Sequence, residues 1–391
     1  MDKIKSLLTR IRTPPSLKET PPQHNPPPLL KLKSSSKLPP EDLIGSLGLQ
    51  LLKFYQGDSR PLLSPASVGM ILSLIYWGSG GETYTLLNKY FGSVMAIDVL
   101  TQFQNLITDL KSTPEVALTH HLVYRHDMPP RSEFKNTTQY TTTITPHGLK
   151  SGAETLALIN TLSSKDTNGR FSELIRNIDP EAYLMFLTGM SFGSKWSIKF
   201  TSARTTPEFF HGLEITTLSM MTQFGNCHMY AESSDYQLVE VTFHGHRYTM
   251  GFLLPKKKSS QFKVENLTSQ KLQNLVDNLK EVNIDHLQIP KFSVHQEYDL
   301  KPFFYDLGLG VLFQDAYFSG IYAQPDSRSV AKFTHQVSIA IDEDGTRPST
   351  DQHDTANYSA KNQIKFIADH SFLYYVRHYE RNAIVMMGLM Q

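Results

Sequence analysis

Only one of the 391 residues, Cys227, is a cysteine. An intrachain disulfide is therefore excluded and no thiolate metal cluster can form, and the expected place for such a thiol is that of a small buried hydrophobe. No apolar run reaches twenty residues, so no segment reads as a membrane span. The first residues lack the continuous apolar core of a secretory leader, which favours a cytoplasmic protein over one exported by a route the sequence does not display. Charge of one sign is also missing, since the net charge is +1. Residues 1–40 carry +6 and the remainder −5, and a mildly acidic body offers no basic face for nucleic acid.

The marks of common enzymes are absent too. There is no G-x-S-x-G elbow, no phosphate loop ending in Gly-Lys-Ser and no H-E-x-x-H helix. Among fifteen histidines the closest pairs are His120 with His121, and His244 with His246, the latter expected on one face of a strand. A metal site needs three or four converging ligands, so no metal and no cofactor is expected, and the chain does not read as an enzyme.

What is present begins with a tail. Ile4, Leu7, Leu8 and Ile11 share a helical face among basic residues, and residues 13–40 hold nine of the 22 prolines. Residues 1–40 are expected to be a Pro-rich, basic, disordered tail, because so few large apolar side chains do not offset the entropy of ordering. Deleting them should leave the melting temperature unchanged; a drop of several degrees would mean that the tail packs on the body. Lys256-Lys257-Lys258 reads as a solvated hairpin turn. Asn136, Asn266 and Asn357 are glycosylation sequons, relevant only to a secreted chain.

From Glu41 the pattern is helical, with Leu43, Leu47, Leu51 and Phe54 on one face. Ser64-Pro65 is a helix start, with serine as cap and proline in the first turn, and Val68–Trp77 follows up to a glycine break. Glu82–Tyr90 reads as a second helix. Further on, Val337, Ile339 and Ile341 alternate with Gln336, Ser338 and Ala340, a half-buried strand that ends at Asp342-Glu343-Asp344-Gly345. From Thr346 to Asn362 there is almost nothing to bury. Apolar strands resume at Ile364–Ile367, Phe372–Val376 and Ala383–Met387. A gap of this length between strands is usually functional or disordered.

These pieces, in this order, resemble the serpins. Ser64-Pro65-x-Ser67, the glycine break with Thr83, Thr167-Asn168-Gly169-Arg170-Phe171, Trp196 with Phe200, Met220-Met221, Ile289-Pro290-Lys291-Phe292, His335, Glu343-Asp344-Gly345-Thr346 and Phe366–Phe372 follow the family across residues 41–391. The segment around Trp196 departs in detail, because the Lys and Gly between the aromatics are displaced. The resemblance implies an α+β fold, a single domain of three β-sheets and eight or nine helices, with an exposed reactive-centre loop at about 345–363. It implies a monomer whose partner is a protein, a serine or cysteine protease being the candidate. The protease would attack the loop as bait, and the cut loop would then insert into the largest sheet. The hinge would be Glu343, Asp344, Gly345, Thr346, Arg347 and Pro348. Spacing from Gly345 puts the bait at Ser359 and spacing from Phe372 at Ala360; Lys361 would direct a trypsin-like target and Tyr358 a chymotrypsin-like one. Ser64, Ser67 and His335 match a polar cluster that controls sheet opening, and Thr188 stands where the family has Asn. Inhibitory members carry small residues after Thr346, whereas this chain has Arg347-Pro348-Ser349-Thr350-Asp351-Gln352. The preferred reading is therefore a non-inhibitory or weakly inhibitory, partner-binding member, with a suicide inhibitor as the alternative.

Overall fold

The computed structural model describes residues 40–149, 151–323, 327–346 and 364–391. Residues 1–39 of the expected tail, Asn357, the bait candidates Tyr358, Ser359, Ala360 and Lys361, and Arg347 and Pro348 lie outside these residues, while Pro40 already opens a helix. The chain opens with α1 (Pro40–Tyr55), β1 (Leu62–Leu63), α2 (Pro65–Gly78), α3 (Gly81–Tyr90), α4 (Ala96–Lys111) and β2 (Val116–Arg125). Next come α5 (Ser132–Thr138), β3 (Thr143–His147), α6 (Gly152–Asp166), β4 (Leu184–Phe192), the hairpin β5 (Thr206–His211) and β6 (Ile215–Gln223), β7 (Asn226–Glu232), β8 (Tyr236–Thr242) and β9 (Tyr248–Pro255). Then follow α7 (Ser269–Asp277), β10 (Lys280–Ile284), β11 (His286–Pro290), β12 (Phe292–Asp299), α8 (Lys301–Asp306), β13 (Ala316–Tyr317) and β14 (Ser327–Arg328). The last strands are β15 (Val330–Ile341), β16 (Lys365–Ile367), β17 (Phe372–His378) and β18 (Ala383–Met390).

The three main sheets run β12-β15-β4-β2-β3, β1-β18-β17-β9-β8-β7-β10 and β16-β11-β6-β5, with β13-β14 as a small ribbon. Eight α-helices occur among the described residues. Helix α2 explains the arrangement. Its residues are buried on every side except at Trp77, the pattern of a helix in a core rather than on a surface. It packs between β18 of the seven-stranded sheet and β4 of the five-stranded one. Ser64 caps it as the sequence implies, its Oγ accepting from Ser67 N at 3.1 Å, and Pro65 opens the first turn. The opposite face of the five-stranded sheet is covered by α6 and the segment after it, where Ile159, Leu174, Ile175 and Ala182 pack on Val123, Met185 and Leu187.

Four expectations change. Cys227 is exposed, because alternation along β7 turns His228 and Tyr230 inward and leaves Cys227 on the other face. His244 and His246 sit in the turn between β8 and β9, where His246 has φ 57°, so they share no strand face. Lys256–Lys258 leave β9 toward α7 rather than turning a hairpin, and Lys256 and Lys258 pair with Glu232 and Asp369. The strand read from Gln336 begins earlier, at Val330. It is also covered on both faces near Gln336, whose Nε2 donates to Glu173 O at 2.9 Å.

Candidate functional site: the β4–β15 junction and the hinge

Strands β4 and β15 lie side by side and parallel, with His335 opposite Thr188 and Ser338 opposite Ser191; they belong to the five-stranded sheet, so the sheet expected to take the loop is not the largest among the described residues, which is the seven-stranded one. A chain that leaves the end of β15 and turns back would run antiparallel to both neighbours, so this junction is where an extra strand could enter. Three sets of contacts hold it closed.

The first lies beneath the middle of the junction. His335 Nε2 accepts from Ser64 N at 3.0 Å, so in a neutral ring Nδ1 carries the proton and donates to Thr188 Oγ1 at 2.6 Å. Burial pushes the His335 pKa down to about 3, which keeps the ring neutral. One side chain thus ties β15 to β4 and both to the start of α2. Ser64 Oγ in turn donates to Val385 O at 2.8 Å in β18, and Ser67 Oγ lies 3.7 Å from Met190 Sδ. Ser64, Ser67, Thr188 and His335, picked out from sequence, are brought together.

The second set is at the end of β15. Asp342 and Gly345 pair as a two-residue hairpin, with Asp342 N donating to Gly345 O at 2.8 Å and Gly345 N to Asp342 O at 3.1 Å. Gly345 then bridges Lys195. Its φ is +126°, and a Cβ there would fall 2.4 Å from Ser194 O, so glycine is required on both counts. Thr346 Oγ1 donates to Ser194 O at 2.9 Å and also accepts from Ser194 N. Trp196 N donates to Asp344 O at 2.8 Å, Phe200 N to Glu343 O at 3.0 Å, and the Trp196 indole N–H to Asp342 O at 2.9 Å.

Side chains fix the same turn. Glu343 receives Lys291 Nζ at 2.8 Å and Thr205 Oγ1 at 2.8 Å, and Lys199 lies 3.3 Å from Asp344. Partial burial would push the Glu343 carboxyl up, but hydrogen bonds from Lys291, its own backbone N–H and Thr205 hold it below the usual carboxylate range. The described hinge residues Glu343, Asp344, Gly345 and Thr346 are thus all anchored on the segment after β4. Sequence reading missed Lys291, Lys199 and Thr205 as their partners. The cue lay in Pro290-Lys291-Phe292, read only as a pattern match, with the acidic turn 52 residues away.

A third layer spans the junction from above. Arg170 donates to Ser191 Oγ of β4 at 2.7 Å, while Gln336 of β15 donates to Glu173 O. The segment after α6 is therefore bonded to both strands. No group of three or more His, Cys, Asp or Glu fit to hold a metal occurs among the described residues, and no described helix is long and apolar enough to cross a membrane.

Comparison with known proteins gives one picture. The family model Serpin (serine protease inhibitor) matches residues 45–391. An uncharacterized serpin-like protein of Thermococcus kodakarensis is 26% identical over 374 residues, covering 92% of this chain and 87% of its own length. Serpin B9 of Homo sapiens is 26% identical, covering 88% of this chain and 96% of its own. The crystal structure of human thyroxine-binding globulin superposes with a TM-score of 0.77 at 19% identity, over 90% of this chain and 97% of that one, a likeness of fold.

Proposed function

Because the chain belongs to the serpin family, we propose that it presents the segment after Thr346 to a protein partner, a serine or cysteine protease, as a monomer that inserts this segment slowly or not at all. Family members are in general protease inhibitors rather than enzymes. On this reading Glu343–Pro348 form the hinge, Tyr358–Lys361 hold the bait, and Ser64, Ser67, Thr188 and His335 govern opening.

The observation that carries the reading is the register of the Asp342–Gly345 hairpin. Gly345 lies opposite Asp342. Extending that pairing sets Thr346 opposite Ile341, Pro348 opposite Ile339, Thr350 opposite Val337, Gln352 opposite His335 and Asp354 opposite Phe333. Directly opposed residues share a face. Ile341, Ile339, Val337, His335 and Phe333 are all buried, so an inserted strand in this register turns Pro348 and Asp354 into the core. Pro348 has no N–H for either neighbouring strand, and a buried group left unpaired costs about 1–3 kcal/mol. Asp354 beside Phe333 would need a proton or a partner. Arg347, Ser349, Asp351 and His353 would meet the segment after α6, whose bonds to Ser191 and Gln336 must first break.

These terms slow insertion, and slowing is sufficient, since insertion has to outrun hydrolysis of the acyl-enzyme for trapping to succeed. Thr188 works in the other direction: it ties His335 with a single hydroxyl, where an Asn would offer donors and an acceptor, so β4 and β15 are held together here through fewer bonds.

The test is to nick the segment after Thr346 with a protease and compare melting before and after. The expected result is little change in melting temperature and no covalent protease complex on a denaturing gel. A large rise, or a stable complex, would put the suicide-inhibitor alternative first.

A further inference from the structure

The run Lys256-Lys257-Lys258-Ser259-Ser260 has no part in the loop reading. It is the irregular segment that leaves β9, and the fold fixes it at several points. Lys256 N donates to Asp235 O at 2.8 Å, Ser371 Oγ donates to Ser260 O at 2.6 Å, and Phe262 just beyond is buried. The three lysines are exposed and line, with Lys263 and Lys271, an open cleft of about 900 Å³ that also holds the carboxylates of Asp235 and Glu265.

A serine kinase that reads charge needs cations two and three residues before its target, and a hydroxyl within its reach. By sequence both serines qualify: Lys256 and Lys257 stand at those positions before Ser259, and Lys257 and Lys258 before Ser260. The structure separates them. Ser259 is half-buried and its Oγ is engaged, donating to Gln261 O at 2.9 Å and accepting from Gln261 N at 3.4 Å. One of its two lysines, Lys256, is held by Glu232 at 2.7 Å. Ser260 is exposed, and its Oγ makes no hydrogen bond among the described residues. Lys257, three residues before it, is exposed and forms no ion pair among the described residues. Lys258 pairs with Asp369, but its side chain is 63% exposed, and so exposed a pair contributes little and exchanges readily.

We infer that Ser260 is a phosphorylation site for a serine kinase that selects basic segments, recognised through Lys257 and Lys258. Ser260 Oγ gives its proton to the kinase's base and attacks the γ-phosphorus of ATP. The new O–P bond forms as the bond from that phosphorus to the β–γ bridging oxygen breaks, and ADP leaves. The product carries about two negative charges among the cleft lysines, where it competes with Asp369 for Lys258. The proposal is independent of whether the segment after Thr346 inserts.

The test uses the full-length protein, magnesium ATP and the catalytic subunit of cyclic-AMP-dependent protein kinase, with each site assigned by peptide mass mapping so that serines elsewhere do not count. In the folded protein phosphate is expected on Ser260 and not on Ser259. A free peptide of residues 253–264, in which no fold withholds Ser259, should take phosphate on either serine. Lys257→Gln removes a cation that has no partner, so melting should not change, while the rate at Ser260 should fall by about tenfold, as for one lost charge-assisted contact. Phosphate on Ser259 of the folded protein, or on neither serine, would overturn the assignment. A peptide modified on Ser260 alone would mean that the sequence and not the fold makes the choice, which contradicts the argument from the engaged Ser259 hydroxyl. An unchanged rate in Lys257→Gln would remove recognition by charge and with it the proposal.

Discussion

Trp196→Ala is expected to destabilise the protein by about 3–5 kcal/mol, the range for truncating a large buried aromatic. The ring is 2% exposed. It stacks on Phe243 with centroids 4.5 Å apart and planes 5° apart, and meets Phe200 edge-on at 6.0 Å. These contacts account for most of the loss, since the large cavity left behind is walled by strands that do not collapse into it. The Asp342–Gly345 turn is affected as well, because the indole N–H bonds Asp342 O. Trp196→Phe keeps a ring on Phe243 but removes that bond and part of the buried ring volume, so a smaller loss of about 1–3 kcal/mol is expected. Urea unfolding of the two variants measures both. A loss below that of Trp196→Phe in the alanine variant would mean that the stack contributes little.

Acidification from pH 7 to pH 4 should lower stability steeply. Burial pushes His335 and His121 down to about 3 and His228 to about 4, and the Lys111 ammonium adds to burial in the case of His121. His120 is also pushed well down, mainly by burial and then by Lys111. In the unfolded chain these rings take up protons near pH 6.5. Above that pH both states are neutral. As the pH falls from about 6.5 toward 3, the unfolded state binds protons that the folded state does not, so folding loses free energy throughout the window. Each ring contributes up to about 1.4 kcal/mol per pH unit. Carboxylates held low, such as Glu343 and Asp369, act in the same direction further down. His335→Gln should make the slope between pH 6 and pH 4 shallower by up to that same single increment. A flat stability profile between pH 6.5 and pH 4.5 would contradict the buried neutral state of all these rings.

The two expectations differ in how far they were visible beforehand. A large aromatic following an apolar strand is a core residue by composition alone, and Trp196 and Phe200 are both buried. His335 was identified only through its resemblance to family members, and its bonds to Ser64 and Thr188 join residues 271 and 147 positions away. No local pattern encodes such a distance.

The sequence by itself determined the local elements. Ser64 with Pro65 starts α2 because a cap and a fixed φ act within one turn, and the alternation from Gln336 to Ile341 makes a strand because side chains alternate faces. The order of matched segments was sufficient for the family and, through it, for the fold. What only the tertiary structure decided is which strand lies beside which, and in what register. Backbone hydrogen bonds are the same for every strand pair, so nothing local says that β15 lies parallel to β4 rather than against another strand. Alternation likewise gives two faces without saying which is covered, since a slip of one residue exchanges them. Cys227, expected inside and found exposed, is the plainest instance. The pairing of Asp342 with Gly345, which turns the chain back at the end of β15, is another. The clamp of Lys291 on Glu343 was beyond sequence for the same reason: an ion pair needs two side chains within a few ångströms, and only the assembled sheets bring them there.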